Sequence, residues 1–313
     1  EPMKDGCRRV LMHQTTYAQH LVDDFERDHN NGKELRQMST PALVRDEVGR
    51  SVPAYVPDLK ATAQKHGGGL LWLCRGTRPD LCAAVTKITR RYTVWDRECD
   101  HLLFRIFQYL KGTVNLGIVL YGHPDDWDNI QFAVECDADH GGDPAETKST
   151  SGMFAYLYGE KSFMPLDWYA KKQTVATARS TGEAEMVAID GATFNVSMPW
   201  VLLLEGVFRR SIGWVTGSDS DAAIKAVKKG YSKKMAYLMK WQRISIAALK
   251  QVYFPFTEEE DDDPQLDLTA NLIKVLGDVN KADLFTKSFD HERHWFLLML
   301  IGMQFVAHRA RKA

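Results

Sequence analysis

From residue 130 onward the chain shows the pattern that most restricts its folding: three short β-prone runs in hairpin succession, one long helical stretch, then strands and helices in alternation. The runs 130–136, 152–158 and 167–170 predict three strands, and 181–204 predicts a long helix. Strand 212–218, helices 222–229 and 236–252, strand 272–275 and a final helix beginning at 281–287 follow. Strands joined by short connections pair antiparallel, whereas a strand reached through a helix returns parallel. The expected fold is therefore α/β, a mixed sheet with helices packed on it. A run of six acidic residues, 258–263, interrupts this pattern just before Pro264 and reads as a solvated insert.

The part before residue 126 is different in kind. Residues 8–12 read as a strand, and Tyr17, Leu21, Val22 and Phe25 share one face of a helix over 17–25. Residues 28–32 form a polar turn, and the stretch 45–60, with two prolines, reads as a linker. Gly67, Gly68 and Gly69 read as a flexible hinge; a phosphate cradle is the alternative, but no Lys-Ser/Thr pair follows them. Pro79 opens a helix over 80–92, and a second helix over 100–111 turns Leu102, Leu103, Ile106, Phe107 and Leu110 inward before Gly112. Three regions result: 1–66, the mostly helical 67–125, and the α/β region 126–313.

Charge and cysteine content exclude little. Lys plus Arg is 40 and Asp plus Glu is 41, so only a local basic stripe could serve a polyanion. Such a stripe exists: Lys225, Lys228, Lys229, Lys233, Lys234, Lys240 and Arg243, with Tyr231, Tyr237 and Trp241 among them. It could track a phosphate backbone or simply be a solvated helix face. The five cysteines are widely spaced with no CxxC pair, which predicts reduced thiols, no zinc site and a reducing compartment. Apolar runs read as too short to cross a membrane. The chain opens at Glu1 with no methionine, as a fragment or processed piece would.

Carboxylates carry the chemical signal. Asp137 and Asp219 each end a predicted strand, where α/β sheets gather functional groups. Glu185 lies in the first turns of a helix and Asp283 at the start of the last one. Converging carboxylates repel one another unless a cation lies among them, and hard oxygen donors suit magnesium or manganese. By composition alone Asp139, Asp143, Glu183 and Asp221 are equally eligible. His140, beside Gly141-Gly142, is either a turn residue or a base, and Ser180-Thr181 is either a helix cap or a nucleophile.

Ordered motifs select among these acids. Cys136-Asp137-Ala138-Asp139, Trp168-Tyr169-Ala170-Lys171-Lys172-Gln173, Ser180-Thr181-Gly182-Glu183-Ala184-Glu185, Ser218-Asp219-Ser220-Asp221 and Ala282-Asp283-Leu284-Phe285-Thr286-Lys287 follow one another in order. Together they resemble the ribonuclease H region of copia-type LTR retrotransposon polyproteins. Upstream, Thr77-Arg78-Pro79-Asp80 and Tyr109-Leu110-Lys111-Gly112-Thr113 resemble the connection region, and residues 14–41 resemble the end of the reverse-transcriptase thumb. The resemblance implies a ribonuclease H-like mixed five-stranded sheet with flanking helices, preceded by a mostly helical thumb and connection. It also implies a metal-dependent endonuclease that cuts the RNA strand of RNA–DNA hybrids, with Asp137, Glu185, Asp219 and Asp283 as catalytic metal ligands. Two Mg2+ ions, or Mn2+, are the implied cofactors. Lys171, Lys172, Lys233, Lys234 and Lys240 are the expected nucleic-acid contacts. The implied partners are the hybrid and a polymerase portion preceding Glu1, with no membrane, in a cytoplasmic virus-like particle or the nucleus. The alternative is a catalytically silent, transposon-derived binding or structural subunit. This chain departs from the motifs at His140, where Trp is usual, and at Asp221, where Gln is common. The basic motif expected near 234–238 is degraded.

Overall fold

A computed structural model describes residues 6–44, 56–141, 147–174, 176–255 and 270–306. The acidic run 258–263, Asp143 and most of the expected linker lie outside the described residues. In chain order the elements begin with β1 (Arg8–Met12), α1 (Thr15–His29), α2 (Ala63–Gly76), α3 (Cys82–Thr89), α4 (Arg97–Gly112) and β2 (Leu116–Gly122). There follow β3 (Gln131–Asp139), β4 (Thr150–Tyr158), β5 (Phe163–Lys172), α5 (Thr181–Ala192), α6 (Met198–Phe208), β6 (Trp214–Ser218) and α7 (Asp221–Lys229). The last are α8 (Leu238–Trp241), α9 (Ile246–Tyr253), β7 (Ala270–Lys274), α10 (His291–Leu300) and β8 (Met303–Phe305). By compactness the chain divides into two units, one built on Arg9–Leu120 with Lys287–Ala313 and the other on Tyr121–Thr286.

The first unit is mostly helical. Phe25 of α1 stacks on Phe107 of α4 at 3.9 Å between centroids, and Leu70, Leu73, Val85 and Ile88 are fully buried beside them. The three glycines expected as a hinge lie inside α2 instead. A Cβ at Gly67 would fall 1.7 Å from the Tyr92 hydroxyl, and one at Gly69 would fall 2.8 Å from Leu21. These glycines serve close helix packing, where a side chain has no room. Strand β2, absent from the sequence reading, pairs antiparallel with β8. β8 and α10 are likewise absent from the elements expected from the sequence.

The same unit contains a buried polar knot built from two of the upstream motifs. Arg78, 1% exposed, donates to Asp80 through Nε (2.9 Å) and Nη2 (2.7 Å) and to the Thr113 carbonyl through Nη1 (2.9 Å). The Tyr109 hydroxyl donates to Asp80 at 2.8 Å, and His294 Nε2 lies 3.1 Å from that hydroxyl. Every strong donor and acceptor here meets its complement, which is the condition for burying charge at all.

The second unit holds the predicted mixed sheet. Strands β3, β4 and β5 form an antiparallel meander, β6 adds parallel to β3, and β7 adds parallel to β6, giving the order β5-β4-β3-β6-β7. Tyr121, the last part of β2, pairs with Phe163 at the β5 edge. Helix α5 packs on β3 with Ala184, Met186, Ala188, Ile189 and Ala192 buried, and the core continues through Phe132, Val134, Met153 and Val227. A π-turn over Thr193–Ser197 joins α5 to α6. Together they make a helix, Thr181–Phe208, that is long and apolar enough to cross a membrane by length and composition only. Its first half is the inner face of a sheet-packed core, and it buries Glu183 and Glu185.

Two helices differ from the sequence reading. The run 236–252 breaks into α8 and α9, because Arg243 adopts φ +59° and Ser245 caps α9 by accepting from Ala248 N at 3.2 Å. The stretch from Lys281 is a single 3-10 turn, Lys281–Phe285, rather than the start of a helix.

Candidate metal centre

The ends of β3 and β6 lie side by side, because the two strands run parallel with Glu135 in register with Gly217. Asp137 and Asp219 therefore emerge at one edge of the sheet, two residues beyond that pair. Asp283 arrives from the 3-10 turn 281–285. One carboxylate oxygen from each of Asp137, Asp219 and Asp283 lies within 4.8 Å of the others, with Asp137 and Asp283 buried and Asp219 half-buried.

The 3-10 turn is held against the sheet by a dedicated set of contacts. Asn280 Oδ1 accepts from Ala282 N at 3.1 Å and caps the turn, while its Nδ2 reaches the Cys136 carbonyl at 3.5 Å. Lys281 donates to Glu135 from both backbone N and Nζ, each at 2.6 Å, and its ammonium lies 4.8 Å from the Tyr156 ring centre. Phe285 stacks on Phe154. The Thr286 hydroxyl donates to Asp137 Oδ2. Gly152 opposes Asp137 on β4, and a Cβ there would fall 2.8 Å from the Ala282 carbonyl and 2.7 Å from Thr286. Only a glycine lets the turn come this close.

Glu185 is 4% exposed and belongs to α5, outside the trio within 4.8 Å. It is nonetheless a neighbour: the buried Cys136 thiol is pushed well above its ordinary value by burial and then by the charges of Glu185, Asp137 and Asp219. The rival acids have other employment. Glu183 is fully buried and its carboxylate accepts from Arg179 N (2.7 Å), the Tyr237 hydroxyl (2.9 Å) and Gln242 Nε2 (2.9 Å). Asp221 is exposed and paired with Lys274 at 3.1 Å. Asp139 sits farther along β3, opposite Thr150. The ring of His140 lies 3.4 Å from the Ser149 hydroxyl. Ser180 is a helix cap, accepting from Glu183 N at 3.3 Å.

Three like charges this close repel by about 3 kcal/mol per pair at an effective dielectric of about 20. Lys274 Nζ donates to the Asp219 backbone carbonyl. The donor set is hard oxygen alone, which fits a divalent cation of the magnesium or manganese type. Of the expected nucleic-acid contacts, Lys171 and Lys172 end β5 at the same sheet edge, one and two residues beyond Ala170, which pairs with Gly152. Lys233, Lys234 and Lys240 are exposed on the segment between α7 and α9. Sequence reasoning did not single out Thr286, Asn280, Gly152 or the Glu135–Lys281 pair. Thr286 lay inside a quoted motif, but nothing local marks a threonine as the support of an aspartate 149 residues away.

No family model matches the chain. The retrovirus-related Pol polyprotein from transposon RE1 of Arabidopsis thaliana is 33% identical over 128 residues, 41% of this chain and 8% of that protein. The Pol polyprotein from transposon TNT 1-94 of Nicotiana tabacum is 24% identical over 303 residues, 95% of this chain and 20% of that protein. An uncharacterized mitochondrial protein of Arabidopsis thaliana is 30% identical over 181 residues, covering 58% of this chain and 68% of that protein. The chain thus spans a fifth or less of the length of these polyproteins. Among solved structures, an RNase H1 isolated from compost aligns over 50% of this chain and 91% of its own, with 14% identity and a TM-score of 0.30.

Proposed function

The chain belongs to the retrovirus-related Pol polyproteins of copia-type transposons, and from that premise we propose that it is a ribonuclease H-type nuclease that cleaves the RNA strand of RNA–DNA hybrids. The observation that carries this reading is the convergence of Asp137, Asp219 and Asp283, from two strand ends and one 3-10 turn, within 4.8 Å. Glu185, buried on α5 outside this trio, is the fourth ligand of the proposed set.

Magnesium or manganese bound there would supply an activated water and neutralise charge on the departing 3′ oxygen. The chain's own residues do the rest. The Thr286 hydroxyl holds Asp137 through Oδ2. The Glu135–Lys281 pair and the Asn280 cap fix the turn that carries Asp283. Lys171 and Lys172 lie at the sheet edge where a phosphodiester would approach, and Lys233, Lys234 and Lys240 extend the track along a second segment. A hydroxyl-reading contact to the RNA 2′ position would confine cutting to that strand.

The test is cleavage of a labelled RNA–DNA hybrid by the purified chain with and without magnesium. Magnesium-dependent cutting of the RNA strand, abolished in Asp137→Asn, is the expected result. Parental-rate cutting by that variant would sink the assignment. A folded protein that neither cuts hybrid nor binds magnesium or manganese by calorimetry would instead be a silent, transposon-derived binding subunit.

A further inference from the structure

The segment between α7 and α9 combines exposed lysines with a firm grip on the first turn of α5. Tyr231, Met239 and Trp241 are more than half exposed, and Lys233, Lys234 and Lys240 are exposed among them. The underside of the segment is polar where it meets α5. Tyr237 and Gln242 both donate to the fully buried Glu183 at 2.9 Å, and Gln242 Nε2 also lies 3.4 Å from the Ala176 carbonyl. Arg179 lies over the Tyr237 ring at 5.1 Å. Met235 packs on Gly182, where an added Cβ would fall 2.9 Å from its methyl group. Elsewhere the segment forms an open pocket of about 350 Å³ lined by Met235, Leu238, Met239, Ile244 and Ile246. It is held at Gly182 and Glu183 by these contacts and in the core by Leu238 and Ile244, both buried.

Glu185 follows Glu183 by two residues in the same helical turn. On the other side, Gln173 fixes this turn to the sheet, donating to the Ala184 carbonyl and the Ser151 hydroxyl at 2.9 Å each. The turn is therefore clamped between the sheet and the basic segment. Glu183 is the point where the segment's position is transmitted to the helix.

We infer that Glu183, gripped by Tyr237 and Gln242, is a positioning residue that couples nucleic acid held on Lys233, Lys234 and Lys240 to the placement of Glu185 in the metal centre. This inference rests on the nuclease reading above. Its physical basis is that groups supporting a metal ligand set its orientation, and losing them typically costs about 10- to 100-fold in metal affinity or activity.

The experiment compares the parental chain with Tyr237→Phe, with the double variant Tyr237→Phe/Gln242→Leu, and with Lys233→Ala/Lys234→Ala. Manganese binding by calorimetry, thermal unfolding, and KM and kcat for hybrid cleavage are measured for each. In Tyr237→Phe/Gln242→Leu, manganese affinity and kcat fall about 10-fold with KM nearly unchanged, and Tyr237→Phe alone gives an intermediate loss. In the lysine variant KM rises, while metal affinity without nucleic acid stays at the parental value. Parental metal affinity and kcat in folded Tyr237→Phe would overturn the inference, as would a loss of stability with no change in metal response. Parental protein that binds manganese but cuts no hybrid would count against the nuclease reading alone, because the metal-affinity comparison still judges the coupling.

Discussion

Each unit buries a cluster of charged side chains, and the two clusters are built on opposite rules. In the helical unit Arg78 meets Asp80, Tyr109 and both polar atoms of Thr113, so positive and negative groups cancel inside the protein. In the sheet unit Asp137, Asp219 and Asp283 bring three charges of one sign within 4.8 Å. The first arrangement is complete as folded and contributes to the fold. The second sets like charges side by side, an arrangement that a bound cation would offset. Both clusters arise from ordered motifs of the same family resemblance, yet only the geometry shows that one pairs opposite charges while the other gathers like ones.

That contrast can be broken from either side. The largest effect is expected for Asp137→Asn: magnesium-dependent hybrid cleavage falls by more than about 100-fold, whereas urea unfolding of the metal-free chain shows equal or greater stability because one like charge has gone. A fall in metal-free stability would mean that the trio is a structural cluster after all. The opposite substitution, Asp80→Asn, leaves Arg78 buried without its counter-charge and is expected to cost about 3–5 kcal/mol in urea denaturation. An unchanged midpoint would show that the knot in the helical unit is dispensable.

The pH dependence of stability sharpens the same comparison. Burial, with the charges around it, pushes His294 down to about 4 from an ordinary value of 6.5. The folded state thus binds fewer protons than the unfolded state between those values. The contribution of neutral His294 is present above pH 6.5 and is lost as pH falls toward 4, by on the order of 3 kcal/mol. Denaturation midpoints taken from pH 7 to pH 4 should fall less steeply in His294→Gln; an identical slope in the variant would assign the loss elsewhere. A smaller effect is expected for Gly152→Ala, whose new methyl meets the Ala282 carbonyl and Thr286. A cost of about 1–3 kcal/mol in stability should accompany weaker manganese binding, since the turn that carries Asp283 is displaced. Stability lost with metal affinity intact would uncouple the turn from the metal centre.

Much of the sheet unit was legible in the chain. Each of β3 to β7 falls within a few residues of a β-prone run, and the meander followed by parallel strands follows from which strands a helix separates. The helical unit was harder to read. Its triple glycine signals a hinge by any local rule, yet Tyr92 and Leu21 press on Gly67 and Gly69 from other helices and make the same residues a packing surface. Likewise the helical pattern over 236–252 gives no hint that Gln242 leaves the helix to reach Glu183.

The motif order alone selected Asp137, Glu185, Asp219 and Asp283 from 41 acidic residues, and residue type alone specified hard oxygen donors. Only the tertiary structure decided that three of them converge, that Glu183 is engaged by Tyr237 and Gln242, that Thr286 bonds Asp137, and that Gly152 admits the turn carrying Asp283. The physical reason is range. Secondary structure and donor chemistry are properties of a few neighbouring residues, whereas repulsion among carboxylates and the room for a close approach depend on side chains up to 149 positions apart in the chain.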